Sequence, residues 1–255
     1  MNRMLVAFGA VAICGAAVAD VESANIVGYS TSGVQTAGKF TTFMVPFNNV
    51  ANEDLGTKLS EITVAPLRSK TTGAASDQAW IWTGTGWDMF FKNTSGTWRR
   101  TTANVAFDTA YPDGLSQGQA IYFKAHAQET AEKAVTVSGG VELDDETEID
   151  LATGGRFAFV GNPYPTAMKL SDTKQVEVTN LRSKTTGAAS DQVWIWTGTG
   201  WDMFFKNASG TWRRTTANVT FDTAYPDGLP TGAGVYFKSH AQETAKKTIV
   251  FKKTF

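Results

Sequence analysis

The block from Leu67 to Ala131 returns almost letter for letter from Leu181 to Ala245, with nine differences that include Ala79 against Val193, Thr94 against Ala208, Ala106 against Thr220, Ser116 against Pro230 and Ile121 against Val235. A repeat of this length constrains the architecture more than any other feature, because each copy is one folding unit and the chain must be built from two of them. With 255 residues, two units of about 115 residues each are large enough to hold a core apiece. The expected division is a leader over residues 1–19, a first unit over 20–139 and a second over 140–255. Outside the block the match between the copies falls off sharply. Such abruptness points to recent copying, so identity within the block does not by itself mark functional residues.

Inside the block the signals are those of strands. Ala79 to Thr83 and Trp87 to Phe91 are apolar runs joined through Gly84-Thr85-Gly86, the mark of a hairpin. Gln119 to Lys124 and Ala134 to Val137 read as further strands, and Tyr111-Pro112-Asp113-Gly114 as a tight turn. Upstream, Lys39 to Phe47 is rich in β-branched and aromatic residues, and Arg156 to Pro165 takes its place in the second copy. Helical periodicity is missing. Short strands with turns about every ten residues predict an all-β chain of two tandem antiparallel β-sandwich domains, of jelly-roll or immunoglobulin-like type.

Residues 1–19 carry Arg3, an apolar run from Met4 to Val18, and Ala17-Val18-Ala19 before Asp20. This reads as a cleaved signal peptide with a mature start near Asp20, because the run is short of the roughly 20 residues that span a bilayer. The one cysteine, Cys14, lies inside it. The mature chain is therefore expected to have neither disulfides, nor a thiolate metal site, nor a cysteine nucleophile, and no transmembrane segment. Lys and Arg number 23 against 24 Asp and Glu, with no basic stripe, which argues against nucleic acid.

Val160-Gly-Asn-Pro-Tyr-Pro165, the Trp194-Ile-Trp-Thr-Gly-Thr-Gly-Trp201 hairpin and Gly232-Ala-Gly-Val-Tyr-Phe-Lys238 follow one another in an order that resembles modules of secreted bacterial proteins. These are the Gly-Asn-Pro-Tyr-Pro modules of Bacteroidetes surface proteins and the secreted β-sandwich repeat proteins of planctomycetes, verrucomicrobia and lentisphaerae. Ser23-Ala-Asn-Ile-Val-Gly-Tyr29 is similar to the mature start of the second group. The chain departs from the pattern at Val45-Pro46-Phe47-Asn48 and at Gln117-Gly118-Gln119. The resemblance implies export and a β-sandwich, and implies no reaction.

Loop length in the hairpin decides which side chains share a face. A two-residue loop, expected because it collects more aromatic surface on one side, points Trp80, Trp82, Trp87, Met89 and Phe91 together into a core. A three-residue loop instead leaves Trp80, Trp82 and Phe90 as a patch beside Asp88, mirrored by Trp194, Trp196, Phe204 and Asp202. Those eight residues are the candidate ligand site, since an aromatic ring stacks on the apolar face of a sugar while polar neighbours bond its hydroxyls. His126 and His240, one per unit, have no partners at metal or triad spacing and are expected at exposed strand ends. Six carboxylates between Glu142 and Asp150 lack a calcium-loop pattern and read as a solvated edge strand. No catalytic residue, metal site or cofactor is expected. The chain reads as an exported, non-catalytic structural or interaction protein, secreted or held at the cell surface. Its expected partners are other copies of itself or cell-surface components. The alternative is a carbohydrate-binding protein with one aromatic site per repeat, taking glycans.

Overall fold

The computed structural model describes residues 27–34, 38–49, 55–141, 144–164 and 166–254. The expected signal segment, the start near Asp20 and Glu142 of the acidic run lie outside these residues. The first copy supplies β1 (Val27–Val34), β2 (Phe40–Met44), β3 (Phe47–Asn48), β4 (Ile62–Ala65), β5 (Gln78–Trp82), β6 (Trp87–Lys92), β7 (Trp98–Arg100), β8 (Ala120–Lys124) and β9 (Lys133–Val141). The second supplies β10 (Glu146–Leu151), β11 (Phe157–Gly161), β12 (Val176–Val178), β13 (Gln192–Trp196), β14 (Trp201–Lys206), β15 (Trp212–Arg214), β16 (Gly234–Lys238) and β17 (Lys247–Lys252). Among the described residues helix is confined to single turns, including α1 (Phe107–Ala110) and α2 (Phe221–Ala224). No helix among the described residues is long and apolar enough to cross a membrane.

Among the described residues the strands pair antiparallel and form four small sheets. In the first copy β1 and β4 flank β9, with β3 extending the pairing, and a second sheet runs β2-β8-β5-β6-β7. The second copy repeats this with β10-β17-β12 and β11-β16-β13-β14-β15. The alternation of side chains explains the layering. Along β5, Ala79 and Ile81 are buried on one face while Gln78, Trp80 and Trp82 point to the other. Ile81, Phe90, Phe123, Val135 and Val137 then meet in one core between the two sheets of the first copy, and Ile195, Phe204, Phe237, Ile249 and Phe251 form its counterpart in the second.

The expectation of two tandem β-sandwiches is wrong: the four sheets are arranged as the small blades of a four-bladed β-propeller. What overturns it is a third apolar layer. Met44, Ala120 and Tyr122 of the first copy pack against Phe159 and Tyr236 of the second, so the faces that tandem sandwiches would turn to solvent are buried on each other. Strand β8 accordingly has four consecutive buried residues, with Ile121 and Phe123 in the first core and Ala120 and Tyr122 in the layer between copies. Only four residues separate β9 from β10, a reach of roughly 18 Å at full extension, which keeps the first and last sheets close to one another. Such an array leaves short sheet edges and buries most faces.

Candidate functional site

The aromatic seam between the copies is where the hairpin side chains meet. Thr83 N–H donates to the Gly86 carbonyl at 3.0 Å, and Trp82 pairs with Trp87 across the ladder, so the loop is the two-residue form. Trp80, Trp82 and Trp87 therefore share a face, as expected of that loop. The face is not the core of the unit, however: all three are half-buried and pack onto the seam cluster that both copies build.

Trp82 donates from Nε1 to the Phe157 carbonyl at 2.8 Å and lies 6.2 Å, edge-on, from Tyr236. Trp196 reciprocates from the second copy, donating to the Phe40 carbonyl at 3.0 Å. Trp80 and Trp194 instead donate to Gln78 and Gln192 of their own strands and meet Phe40 and Phe157 edge-on at 5.0 and 5.2 Å. Lys124 and Lys238 place their ammonium groups 5.2 to 5.4 Å from these same rings, capping the ends of the seam with cation–π contacts. At its centre Phe159 stacks on Tyr236 at 4.4 Å, and the Tyr122 ring lies 6.1 Å from that of Tyr236. Burial first, and for Tyr236 also Tyr122, pushes both phenols well above their ordinary range.

The other candidate residues lie elsewhere. Phe90 and Phe204 are fully buried in the two unit cores, on the face opposite the tryptophans. Asp88 is at the margin of that core face, held by Arg100 at 2.5 Å and the Tyr111 hydroxyl at 2.9 Å, and Asp202 is held likewise by Arg214 at 2.7 Å and Tyr225 at 3.0 Å. The structure thus brings Trp80, Trp82, Trp194 and Trp196 together in one seam and separates them from Asp88, Phe90, Asp202 and Phe204.

Three hollows open along the seam. One of about 340 Å³ is walled by Phe40, Trp80, Trp87, Tyr122, Trp196, Trp201 and Tyr236, and a smaller one of about 190 Å³ by Trp82, Phe157, Trp194, Trp201 and Tyr236. The largest, about 630 Å³, differs in chemistry: Trp196 stands beside Thr41, Thr42, Thr197, Thr231 and Tyr225. It lies where the copies differ. The counterpart of Thr42 is Phe159, each directly opposite the seam tyrosine of its own sheet.

Charged clusters stabilise loops. Lys133 and Asp77 are both 0 % exposed, with their atoms 3.0 Å apart, and Lys133 also meets Glu129 at 3.0 Å and the Pro66 carbonyl at 2.5 Å. Asp77 accepts the backbone N–H groups of Arg68 and His126, each at 2.8 Å. Lys247, Asp191 and Glu243 repeat the arrangement, with Lys247 also bonded to the Asn180 carbonyl. Sequence reading missed this cluster, because Lys133 and Lys247 lie just beyond the repeated block and nothing local pairs them with Asp77 and Asp191. His126 and His240 follow β8 and β16, half-buried, and each accepts a backbone N–H on Nδ1. Strand β10 is an edge strand with Glu146, Glu148 and Asp150 exposed, and no group of three potential metal ligands occurs among the described residues.

What the fold and the seam define is a class of architecture: an all-β array of four small sheets, made by two fused copies of one unit that bury aromatic faces on each other. No protein-family model and no curated protein matches the chain.

Proposed function

We propose that the protein is an exported, non-catalytic structural or interaction protein, a stiff building piece of a cell-surface or extracellular assembly. The observation that carries this reading is the seam itself. The chain's richest aromatic surface joins its own two copies, with both tryptophan pairs bonded at Nε1. The buried Lys-Asp-Glu clusters likewise tie strands to loops in each copy. The leader-like residues 1–19 and the resemblance to secreted repeat modules support export. Negative-stain electron microscopy with light scattering on the chain from Asp20, at rising concentration, tests the proposal. Ordered filaments or sheets are expected, and a persistent monomer overturns it.

A carbohydrate-binding reading is favoured by one observation, the 630 Å³ hollow whose walls combine Trp196 with Thr41, Thr42, Thr197 and Thr231. A ring to stack on, with hydroxyls beside it, suits a neutral sugar. This reading places one site at the seam rather than one in each repeat. Quenching of tryptophan emission by a panel of neutral oligosaccharides checks it. Saturable quenching lost in Thr42→Phe, which copies Phe159 into the other side, supports it, and no saturable response to any sugar ends it.

A further inference from the structure

Four hydrogen bonds across the seam come as two reciprocal pairs. Met44 N–H donates to the Gly232 carbonyl and Gly161 N–H to the Gly118 carbonyl, both at 2.9 Å. Met44 and Gly161 end the equivalent strands β2 and β11, and Gly118 and Gly232 precede the equivalent strands β8 and β16. The Trp82 and Trp196 bonds to Phe157 and Phe40 are exchanged in the same way. The copies are thus related across the seam by a pseudo-two-fold axis, the relation of an isologous dimer interface.

On such an axis a residue meets its own counterpart, and here the counterparts differ in size. A Cβ on Gly234 would lie 2.6 Å from the Cβ of Ala120, which is its equivalent. A Cβ on Gly161 would lie 2.6 Å from Met44 Cγ and 2.7 Å from Met44 Cβ, again its equivalent. Close-packed interiors do not admit carbon atoms at such distances. Pairing two first copies would set Ala120 against Ala120 and Met44 against Met44, two overlaps. Pairing two second copies would set glycine against glycine twice, leaving a hole where Met44 now packs. One combination fits.

We propose that the seam is an interface coded for unlike copies by Ala120 with Gly234 and Met44 with Gly161, and that two molecules of this protein form it with each other by exchanging copies. The partner is a second molecule of the same chain. Exchange uses the contacts already made within one molecule, so it is favoured by concentration rather than by new surface. It deepens the assembly reading above by naming the joint, and its tests separate the two ideas.

The Ala120–Gly234 pair is the cleaner to transpose, because the nearest atoms to a Cβ at 234 are all side chain, whereas a Cβ at 161 also meets the Ala233 carbonyl oxygen at 2.8 Å. Four full-length chains are compared by thermal melting: wild type, Gly234→Ala, Ala120→Gly and the double variant. The code predicts that Gly234→Ala lowers Tm by several degrees and that adding Ala120→Gly recovers most of the loss. A double variant no more stable than Gly234→Ala overturns it. Exchange is read by refolding wild type from denaturant at low and high protein concentration, followed by light scattering on the separated species. A compact dimer with monomer-like tryptophan emission, rising with refolding concentration, is expected, and monomer alone at every concentration refutes exchange. Dimers formed only on refolding, with a persistent native monomer, would remove the assembly reading and leave the code standing. Filaments without rescue in the double variant would do the reverse.

Discussion

Replacing Lys133 with methionine is expected to be among the most damaging single changes outside the apolar cores. The methionine keeps most of the side-chain length but removes an ammonium group that is 0 % exposed and lies 3.0 Å from an equally buried Asp77 carboxylate. Breaking a buried ion pair from one side costs about 3–5 kcal/mol, because the remaining charge is left in a medium that solvates it poorly. Asp77 keeps the N–H groups of Arg68 and His126, which hold part of its charge and place the expected loss near the lower end. Glu129 loses one partner but keeps Arg68 at 3.1 Å. For a chain of this size about 3 kcal/mol lowers Tm by roughly 6–12 °C. Circular dichroism melting at pH 7 reads it directly, with Lys247→Met as the matching change beside Asp191 in the second copy. The double variant Lys133→Met/Asp77→Asn should recover part of the loss, since it removes the stranded charge. A fall in Tm under about 2 °C would refute the reasoning and mean that water reaches Asp77.

Two further outcomes concern pH. The Glu129 carboxyl is held below the ordinary carboxylate range by hydrogen bonds from Lys133 and then Arg68. Its contribution is present above the unfolded value and lost as pH falls through the folded one, so Glu129→Gln should flatten the acid limb of stability against pH in denaturant titrations, and an unchanged limb would contradict this. Tyr122 and Tyr236 are shifted the other way, above the ordinary 10.0, by burial. Their contribution is complete below the unfolded value and lost as pH climbs from there toward the folded one. Phenolate absorbance should therefore include these two groups only together with loss of tryptophan structure, and early ionisation of all six tyrosines would contradict the buried seam.

Much of the local structure was legible in residues alone. The Gly84-Thr85-Gly86 turn between apolar runs identified a hairpin, and aromatic collection on one face favoured its two-residue loop. The packing partner of that face was not legible, for a physical reason. A period of two tells which side chains point together but not whether they meet the sheet of the same copy or of the other. Strand β8 carried a clue, because four consecutive buried residues mean two covered faces, yet Ala-Ile-Tyr-Phe also suits an ordinary alternating strand. The exchange of Ala120 for Gly234 is one small difference among the nine. It gained meaning only when the structure set the two positions against each other. A three-residue loop would group Phe90 and Asp88 with the tryptophans, and the observed register sends them to the opposite face.

Small-angle X-ray scattering on the chain from Asp20, extrapolated to zero concentration, reads whether the two copies form one compact array through the aromatic seam. A single compact body of this length has a radius of gyration of about 18 Å. A value near that is expected for the monomer, with a compact, single-body profile. A monomer well beyond about 22 Å, with the profile of two bodies on a tether, would contradict it.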